Sequence, residues 1–399
     1  MSDVSDPSEH QDNILVDDVP IESIDLKSPR EALRPQKLPK APKRSRHARN
    51  RWVIIFNFFF SVIMLALVVL GVGFFWGSKE YVAVGPLEKT VKVLVPRGAS
   101  TRDIGDALAR SKVIKSPLIF WATVRLQKKQ GELKAGEYIF EKGATMRDVL
   151  AKLVKGKAVI YKVTVPEGLT SLQIVEILRA DKILTGDINE IPEEGSLLPN
   201  TYTFGRGTSR MQIIRLMQQE QIKSLKRIWA NRVDGLPVKT PEELVILASI
   251  VEKETAKSDE RPRVAAVFIN RLRQGIKLQS DPTIIYGLFG GGGKPKDRPI
   301  YKSDIEKPTD YNTYTIPALP PGPISNPGIA AMEAVANPSL TDELYFVADG
   351  TGGHAFAKTL KEHNNNVRNW RRIEKERKEK KSKEEAPKEP KEESTPAPN

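Results

Sequence analysis

Thr240-Pro241-Glu242-Glu243-Leu244-Val245-Ile246-Leu247-Ala248-Ser249-Ile250-Val251-Glu252-Lys253-Glu254-Thr255 reads as one helix that carries an acid where an apolar side chain belongs. It opens with a capping hydroxyl at Thr240, a proline in the first turn, and two acids at the positive end of the helix dipole. At about 100° per residue, Leu244, Leu247, Ile250 and Val251 form one stripe with Ala248 on its margin. Glu254 follows Val251 by three positions and Ile250 by four, so it falls inside that stripe. Glu252 lies toward the edge, and Lys253 points away. A carboxyl on a buried face loses hydration, which raises its pKa and keeps its proton near neutrality. That protonated state is what a general acid needs. The competing reading is a frayed helix end, with Glu254 in water beside Lys257 or Arg261.

Around this helix the sequence alternates helices with rigid polar loops. Upstream, Gly195 to Tyr202 reads as a loop, Met211 to Ala230 as a long helix, and Leu236-Pro237 as a break. Downstream, Arg263 to Arg273 predicts a helix with Val264, Val267, Phe268 and Leu272 inward. Then come Gly275-Ile276-Lys277-Leu278-Gln279-Ser280-Asp281-Pro282-Thr283, Tyr311-Asn312-Thr313-Tyr314, Leu319-Pro320-Pro321-Gly322 and Asp349-Gly350-Thr351-Gly352-Gly353-His354. Amides, hydroxyls and aromatic rings on Pro/Gly loops suit a sugar groove, because hydroxyls need directional partners and pyranose faces stack on rings. Gly290 to Gly293 is no phosphate cradle, since no Gly-Lys-Ser/Thr follows; it reads as a flexible loop tip. Asp349-Gly350 predicts a hairpin turn. His354 and His363 read as structural.

Composition limits the chemistry. The chain has 399 residues, 63 Lys and Arg against 50 Asp and Glu, no cysteine and four histidines. Disulfides, thiol nucleophiles and thiolate metal sites are excluded, and a three-histidine zinc site is improbable with so few histidines. Apolar residues make up only 39%, but the polar ends depress that figure. Between them, roughly 300 residues remain, enough for two or three packed domains. From Thr90 to Leu184 a pattern repeats: alternating Val91, Val93 and Val95, a Pro96/Gly98 turn, then a Ser100-capped helix with Ile104, Ala107 and Leu108. It returns at Val163 to Val165, Pro166, Gly168 and Thr170, then Ile174, Val175 and Leu178. Gly143 to Thr145 with Val149 and Leu150 makes a partial copy. Such α+β units serve as scaffold or as ligand holders, and they loosely resemble the LysM modules that hold cell-wall glycan.

Trp52 to Trp76 is almost pure hydrocarbon, with Asn57 and Ser61 its clearly polar side chains. At about 1.5 Å per residue it outreaches a bilayer core roughly 30 Å thick, and tryptophans stand at both ends. A buried core helix rarely runs so long without a charge. Lys37, Lys40, Lys43, Arg44, Arg46, Arg49 and Arg51 precede it; only Lys79 follows closely. Positive charge on the inner side therefore predicts a cytoplasmic amino terminus and export of everything after Gly77. The same cations would suit a nucleic-acid-binding arm, but their place against a membrane span favours the topological role. The expected layout is 1–51 disordered with a basic juxtamembrane run, 52–76 transmembrane, 87–190 repeat module, 191–370 catalytic domain and 371–399 a charged disordered tail.

Taken together, Ser249-Ile250-Val251-Glu252-Lys253-Glu254-Thr255, Asn270-Arg271-Leu272, Leu278 to Thr283 with Tyr286-Gly287, Tyr311 to Tyr314, Leu319 to Gly322, and Tyr345 to Gly350 with Gly352-Gly353-His354 resemble the endolytic murein transglycosylases. The resemblance runs from the apolar segment to about Asn369. Ala318 stands where glycine is expected before Leu319. The resemblance implies an α+β protein of the bacterial inner membrane: one transmembrane helix, a LysM-like module, then a mixed α+β catalytic domain in the periplasm. It implies cleavage of the β-1,4 bond between N-acetylmuramic acid and N-acetylglucosamine within peptidoglycan strands, leaving 1,6-anhydro ends, with Glu254 catalytic and no metal or cofactor. It also implies association with peptidoglycan synthases (penicillin-binding proteins). Gln279, Asp281, Tyr311 and Asn312 are candidates for holding the sugar or orienting Glu254; Tyr286 and Tyr314 either stack on a ring or pack. A hydrolase using Glu254 with Asp281 or Glu252, and a non-catalytic wall-binding scaffold, are the rival expectations.

Overall fold

The computed structural model describes residues 50–385 and the side chains of 50–379. The acidic leader, the basic residues Lys37 to Arg49 and the Pro-rich end from 386 lie outside the described residues. Two compact units divide between Phe74 and Phe75. Helix α1 (Arg51–Val82) is longer than the apolar run that predicts it, and none of its residues is buried. Among the described residues it is the one helix long and apolar enough to cross a membrane. The remaining chain is mixed α+β.

The repeat resolves into three strand–turn–helix units. Strand β1 (Val91–Val95) leads to α2 (Thr101–Arg110) and α3 (Pro117–Leu126), and β2 (Gly136–Phe140) leads to α4 (Met146–Lys155). β1 and β2 pair antiparallel with Val93 opposite Tyr138. Their inward faces meet Ile104, Leu108, Phe120, Val149, Leu150 and Leu153 in one core. β3 (Tyr161–Thr164) leads to α5 (Ser171–Ala180) and pairs antiparallel with β4 (Thr201–Phe204). The helices start at matching caps: Ser100, Thr145 and Thr170 each accept the backbone N–H three residues on. The expected loop holds from Gly195 to Asn200, and strand β4 takes its last two residues, because Tyr202 and Phe204 alternate inward against Val163, Ile174 and Leu178. The same core takes in Ile213, Ile214 and Met217 of α6 (Arg210–Ala230), so packing runs across the expected boundary at residue 190.

A third core surrounds α7 (Pro241–Glu254). Residues Leu244 to Val251 are all buried, so the middle of this helix has no wet face, whereas its stripe predicts one buried side. Helices α8 (Arg261–Arg273) and α11 (Ile329–Ala336) enclose it; α9 (Asp281–Phe289), a 3₁₀ turn at Gly290–Gly292 and the short α10 (Lys302–Glu306) follow α8. The glycine run is no free tip: Thr170 Oγ1 donates to Gly291 O at 2.5 Å. In mid-helix, Ser249 Oγ donates to Ile246 O and accepts the Ile324 N–H, which fastens the Pro-rich loop to α7.

The predicted hairpin is present: β5 (Tyr345–Ala348) pairs with β6 (His354–Ala357). Helix α12 (Leu360–Glu385) packs on it, with Ile373 beside Gly350 and Arg377 donating to the Gly350 carbonyl. Helix continues from Arg371 to Glu385, into the first part of the stretch expected to be a charged disordered tail. Lys378–Glu374, Arg372–Glu376 and Lys375–Glu379 pair one turn apart, a spacing that supports an exposed helix.

Asn326 joins the second and third cores. Its buried amide accepts from Leu197 N and donates to Leu169 O, Ser171 Oγ and Glu194 Oε1. Removing it strands several buried polar groups at once. Asn326→Ala is expected to cost about 2–4 kcal/mol of unfolding free energy in denaturant titration. A cost under about 0.5 kcal/mol would mean that water replaces the amide without loss.

Candidate active site

Three successive ionisable residues at the end of α7 go three ways. Glu252 accepts from Arg261 at 3.1 Å and from the Gly328 N–H at 3.0 Å. Lys253 Nζ donates to Gly168 O at 3.2 Å. Glu254, the last residue of the helix, accepts the Ser280 hydroxyl at 2.5 Å. The frayed alternative fails on both partners: Arg261 is spent on Glu252 and Glu167, and Lys257 pairs with Glu260.

Ser280 is aimed by the loop before α9. Gln279 adopts φ +55°, so the chain reverses there and buries Ser280 while Gln279 stays outside. Gln279 N donates to Thr313 O, Ser280 N to Thr313 Oγ1, and Thr283 Oγ1 to Ser280 O. Beneath the loop, buried Arg271 donates to Leu278 O at 2.8 Å and Leu344 O at 2.6 Å. A guanidinium that ties two segments by their carbonyls keeps the hydroxyl in place.

Burial pushes the Glu254 carboxyl from the ordinary glutamate range up to about 7. The Ser280 hydrogen bond opposes that rise, the negative charge of Asp281 adds to it, and His354 and Arg271 oppose it more weakly. The residue as a whole is half-buried. Its place at the negative end of the α7 dipole also disfavours ionisation. This is the perturbed acid that the sequence predicts, although its cause is a fully enclosed helix and not one wet-sided stripe.

The other predicted residues separate into two groups. Asp281 begins α9, is exposed, and accepts Tyr314 OH at 2.7 Å; with Gln279 it borders the Ser280–Glu254 pair. Tyr286 and Tyr311 form the second group, their ring centroids 4.8 Å apart. Gly287 lets them meet, since a Cβ there would sit 2.3 Å from Thr309 Oγ1. Asn312 belongs to neither: its buried side chain donates to Ile305 O and Lys307 O and accepts Tyr314 N, so it holds the loop and offers nothing to a ligand. Burial raises the Tyr286 and Tyr314 phenols, which stay neutral. A separate cleft of about 560 Å³, lined by Asn270, Arg273, Leu340, Asp342 and Lys358 among others, contains none of the predicted site residues.

Sequence reasoning passed over four residues. Ser280 and Arg271 lay inside quoted motifs without a role. His354, read as structural, binds Glu260 through Nδ1 at 2.7 Å near the site. Glu194 is the larger omission: burial raises its pKa, while it accepts Ser171 N, Asn326 Nδ2 and Tyr286 OH. A carboxylate within a Glu-Glu-Gly turn carries no periodicity that would flag it.

Opposite shifts follow from the influences on Glu254. Followed by ¹³C NMR of the labelled carboxyl, its titration midpoint should rise in Ser280→Ala, which loses the hydrogen bond to the ionised form. It should fall in Asp281→Asn, which loses a like charge; movement in one direction for both would contradict this account. Stability follows by linkage. A folded pKa raised from 4.5 to about 7 penalises folding once pH passes the unfolded value, fully so above about 7. Glu254→Gln should therefore gain on the order of 1–3 kcal/mol relative to the parent at pH 9, and the difference should vanish near pH 4.

Residues 93–369 match the YceG-like family. A relative from Bacillus subtilis (strain 168), named endolytic murein transglycosylase, is 32% identical over 332 residues, which cover 74% of this chain and 89% of that one. Another of the same name, from Streptococcus pneumoniae serotype 2 (strain D39 / NCTC 7466), is 31% identical over 336 residues, covering 73% of this chain and 58% of the other. A crystal structure of a yceG-like protein from Listeria monocytogenes is 32% identical and covers 70% of this chain and 99% of that chain, with a TM-score of 0.42. The motifs around Glu254 lie within the matched span, and the chain belongs to the YceG-like family.

Proposed function

We propose that this chain is an endolytic lytic transglycosylase of peptidoglycan with Glu254 as its catalytic acid and base. The observation that carries the reading is one desolvated carboxyl poised near neutrality, bonded to a hydroxyl and not to a second carboxyl. Its neighbour Glu252 is neutralised by Arg261 and a backbone N–H. The names of the relatives supply the substrate class, a murein strand.

Ordinary glycosidases use two carboxyls, one as acid and one for water or direct attack. A single one suffices when the attacking group belongs to the substrate. Protonated Glu254 gives its proton to the oxygen of the bond between N-acetylmuramic acid and N-acetylglucosamine, and the C1–O bond breaks. The carboxylate then takes the proton of the sugar's own C6 hydroxyl as that oxygen bonds to C1. A 1,6-anhydro end forms without water, and tethering supplies the proximity that a second acid would otherwise have to provide. Gln279, Asp281 and Tyr314 border the reacting acid. Tyr286, braced by Glu194, and Tyr311 beside it present rings to a pyranose.

The rest of the layout completes the reading. α1 spans the inner membrane with the amino terminus in the cytoplasm, and the units from Leu87 onward work in the periplasm. The strand–turn–helix units act as LysM-like supports that present glycan to Glu254. Cutting within nascent strands ends their growth, which places the enzyme beside the synthases that polymerise them. One observation favours a hydrolase instead: Asp281 is exposed and close enough to Glu254 to raise its pKa, as a residue activating water would be.

Digestion of purified sacculi, read by mass spectrometry, separates these. Products one water lighter than reducing-end fragments are expected from the parent chain; reducing ends alone would establish the hydrolase. Glu254→Gln should lower the rate by about 10²–10⁴-fold with folding intact, and unchanged turnover would remove Glu254 from the reaction.

A further inference from the structure

Helix α3 is apolar on two opposite sides. Phe120 and Val124, four residues apart, are fully buried in the first core. The other side carries Leu118, Trp121, Ala122, Arg125 and Leu126. Leu118 is 69% exposed and Leu126 74% exposed, while Trp121 is half-buried. Two exposed arginines flank that indole: Arg102 of α2 sits 5.3 Å from its ring centroid and Arg125 sits 5.8 Å away. Exposed Lys128 follows the helix. Single exposed leucines are ordinary, but two leucines and a tryptophan on one helix face, ringed by cations, make a patch of defined chemistry.

The position of this patch says what covers it. The residues leading from α1 pack beside the start of α3: Glu80, in the last turns of α1, pairs with Lys115 at 3.5 Å, and Ser116 caps α3. Ala83, Gly85 and Pro86 share a small cavity with Val113, Ile114 and Lys115. Val82 and Val84, on the same connection, are exposed as well. Where α1 leaves a bilayer, the apolar face of α3 is therefore close at hand. Tryptophan and leucine side chains between arginines and lysines match the layer where acyl chains give way to lipid phosphates.

We propose that the outward face of α3 is a contact with an anionic membrane surface. Leu118, Trp121 and Leu126 enter the headgroup layer, and Arg102, Arg125 and Lys128 bind lipid phosphates. This rests on reading α1 as a membrane span. The contact fixes the first module against the bilayer, so the height and orientation at which the chain beyond it meets glycan are restricted by more than a flexible connection.

The absence of cysteine makes the test direct, since single cysteines introduced into the full chain carry nitroxide labels without background. The chain is reconstituted in vesicles of mixed phosphatidylglycerol and phosphatidylcholine, with labels at Leu118→Cys, Leu126→Cys, Leu65→Cys within α1, and Ile222→Cys, an exposed site on α6. Relaxation by oxygen, relative to a water-soluble nickel chelate, is expected to be several-fold higher at 118 and 126 than at 222. Adding Arg102→Glu with Arg125→Glu, or using phosphatidylcholine alone, should bring the first two down toward the 222 value. Labels at 118 and 126 as water-exposed as 222 overturn the inference whatever position 65 reports. Lipid contact that is indifferent to both charge changes overturns recognition of an anionic surface. Water exposure at 65 overturns the membrane span by itself, so the two failures are told apart.

Discussion

Everything at the site depends on α7 being closed in on every side until its last turn. A helix buried from Leu244 to Val251 has no freedom to rotate or slide, because any movement drags apolar side chains into occupied space. Ser249 adds polar fixation from within, bonded to the Ile324 N–H and, through its carbonyl, to Ser325 Oγ. Glu254 thus emerges from a rigid element at a fixed depth, where desolvation is strong. Preorganisation of this kind lowers the cost of reaching a reactive geometry more surely than a carboxyl on a loop would.

The surrounding loops contribute less rigidity and more chemistry. The left-handed Gln279, the Thr283–Thr313 contact and the Arg271 guanidinium together hold one hydroxyl on one carboxyl. The stretches 276–283 and 311–314 are stitched to each other by hydrogen bonds, so they form a single support. Asn312 and Arg271 work by satisfying carbonyls, and neither needs to meet a ligand to matter. A residue that looks like a sugar-binding amide in the sequence can be wholly occupied with its own loop.

That distinction marks how far the sequence was legible. Local signals held: the Ser100, Thr145 and Thr170 caps, the helix starting at Pro241, the β5–β6 hairpin and the repeated strand–turn–helix pattern all follow from neighbours in sequence. Glu254 stood out because an acid among apolar residues is a local anomaly. What escaped were long-range pairings. The first half of strand β4, Thr201 and Tyr202, reads as loop until β3 is beside it, and Glu194 gains its burial from Asn326, Ser171 and Tyr286, which come from three separate segments. The charged stretch from Arg371 to Glu385 is helical because ion pairs one turn apart add to good helix formers, a continuation that composition does not reveal.

On the proposed mechanism one carboxyl must give a proton and then take one back, and these demands pull its pKa in opposite directions. A strongly raised value would hold the proton too well to release it; an ordinary one would leave the group ionised before the reaction began. The compromise lies near ambient pH, which is where burial, tempered by Ser280, sets Glu254. Glu252 shows the contrast two residues earlier. It too is desolvated and its carboxyl is raised by burial, but Arg261 and the Gly328 N–H oppose that rise and hold the group in place, so it serves as an anchor between α7 and the loop before α11. The difference between the two acids is the partner: a cation commits a buried carboxylate to structure, while a lone hydroxyl leaves it free to exchange a proton.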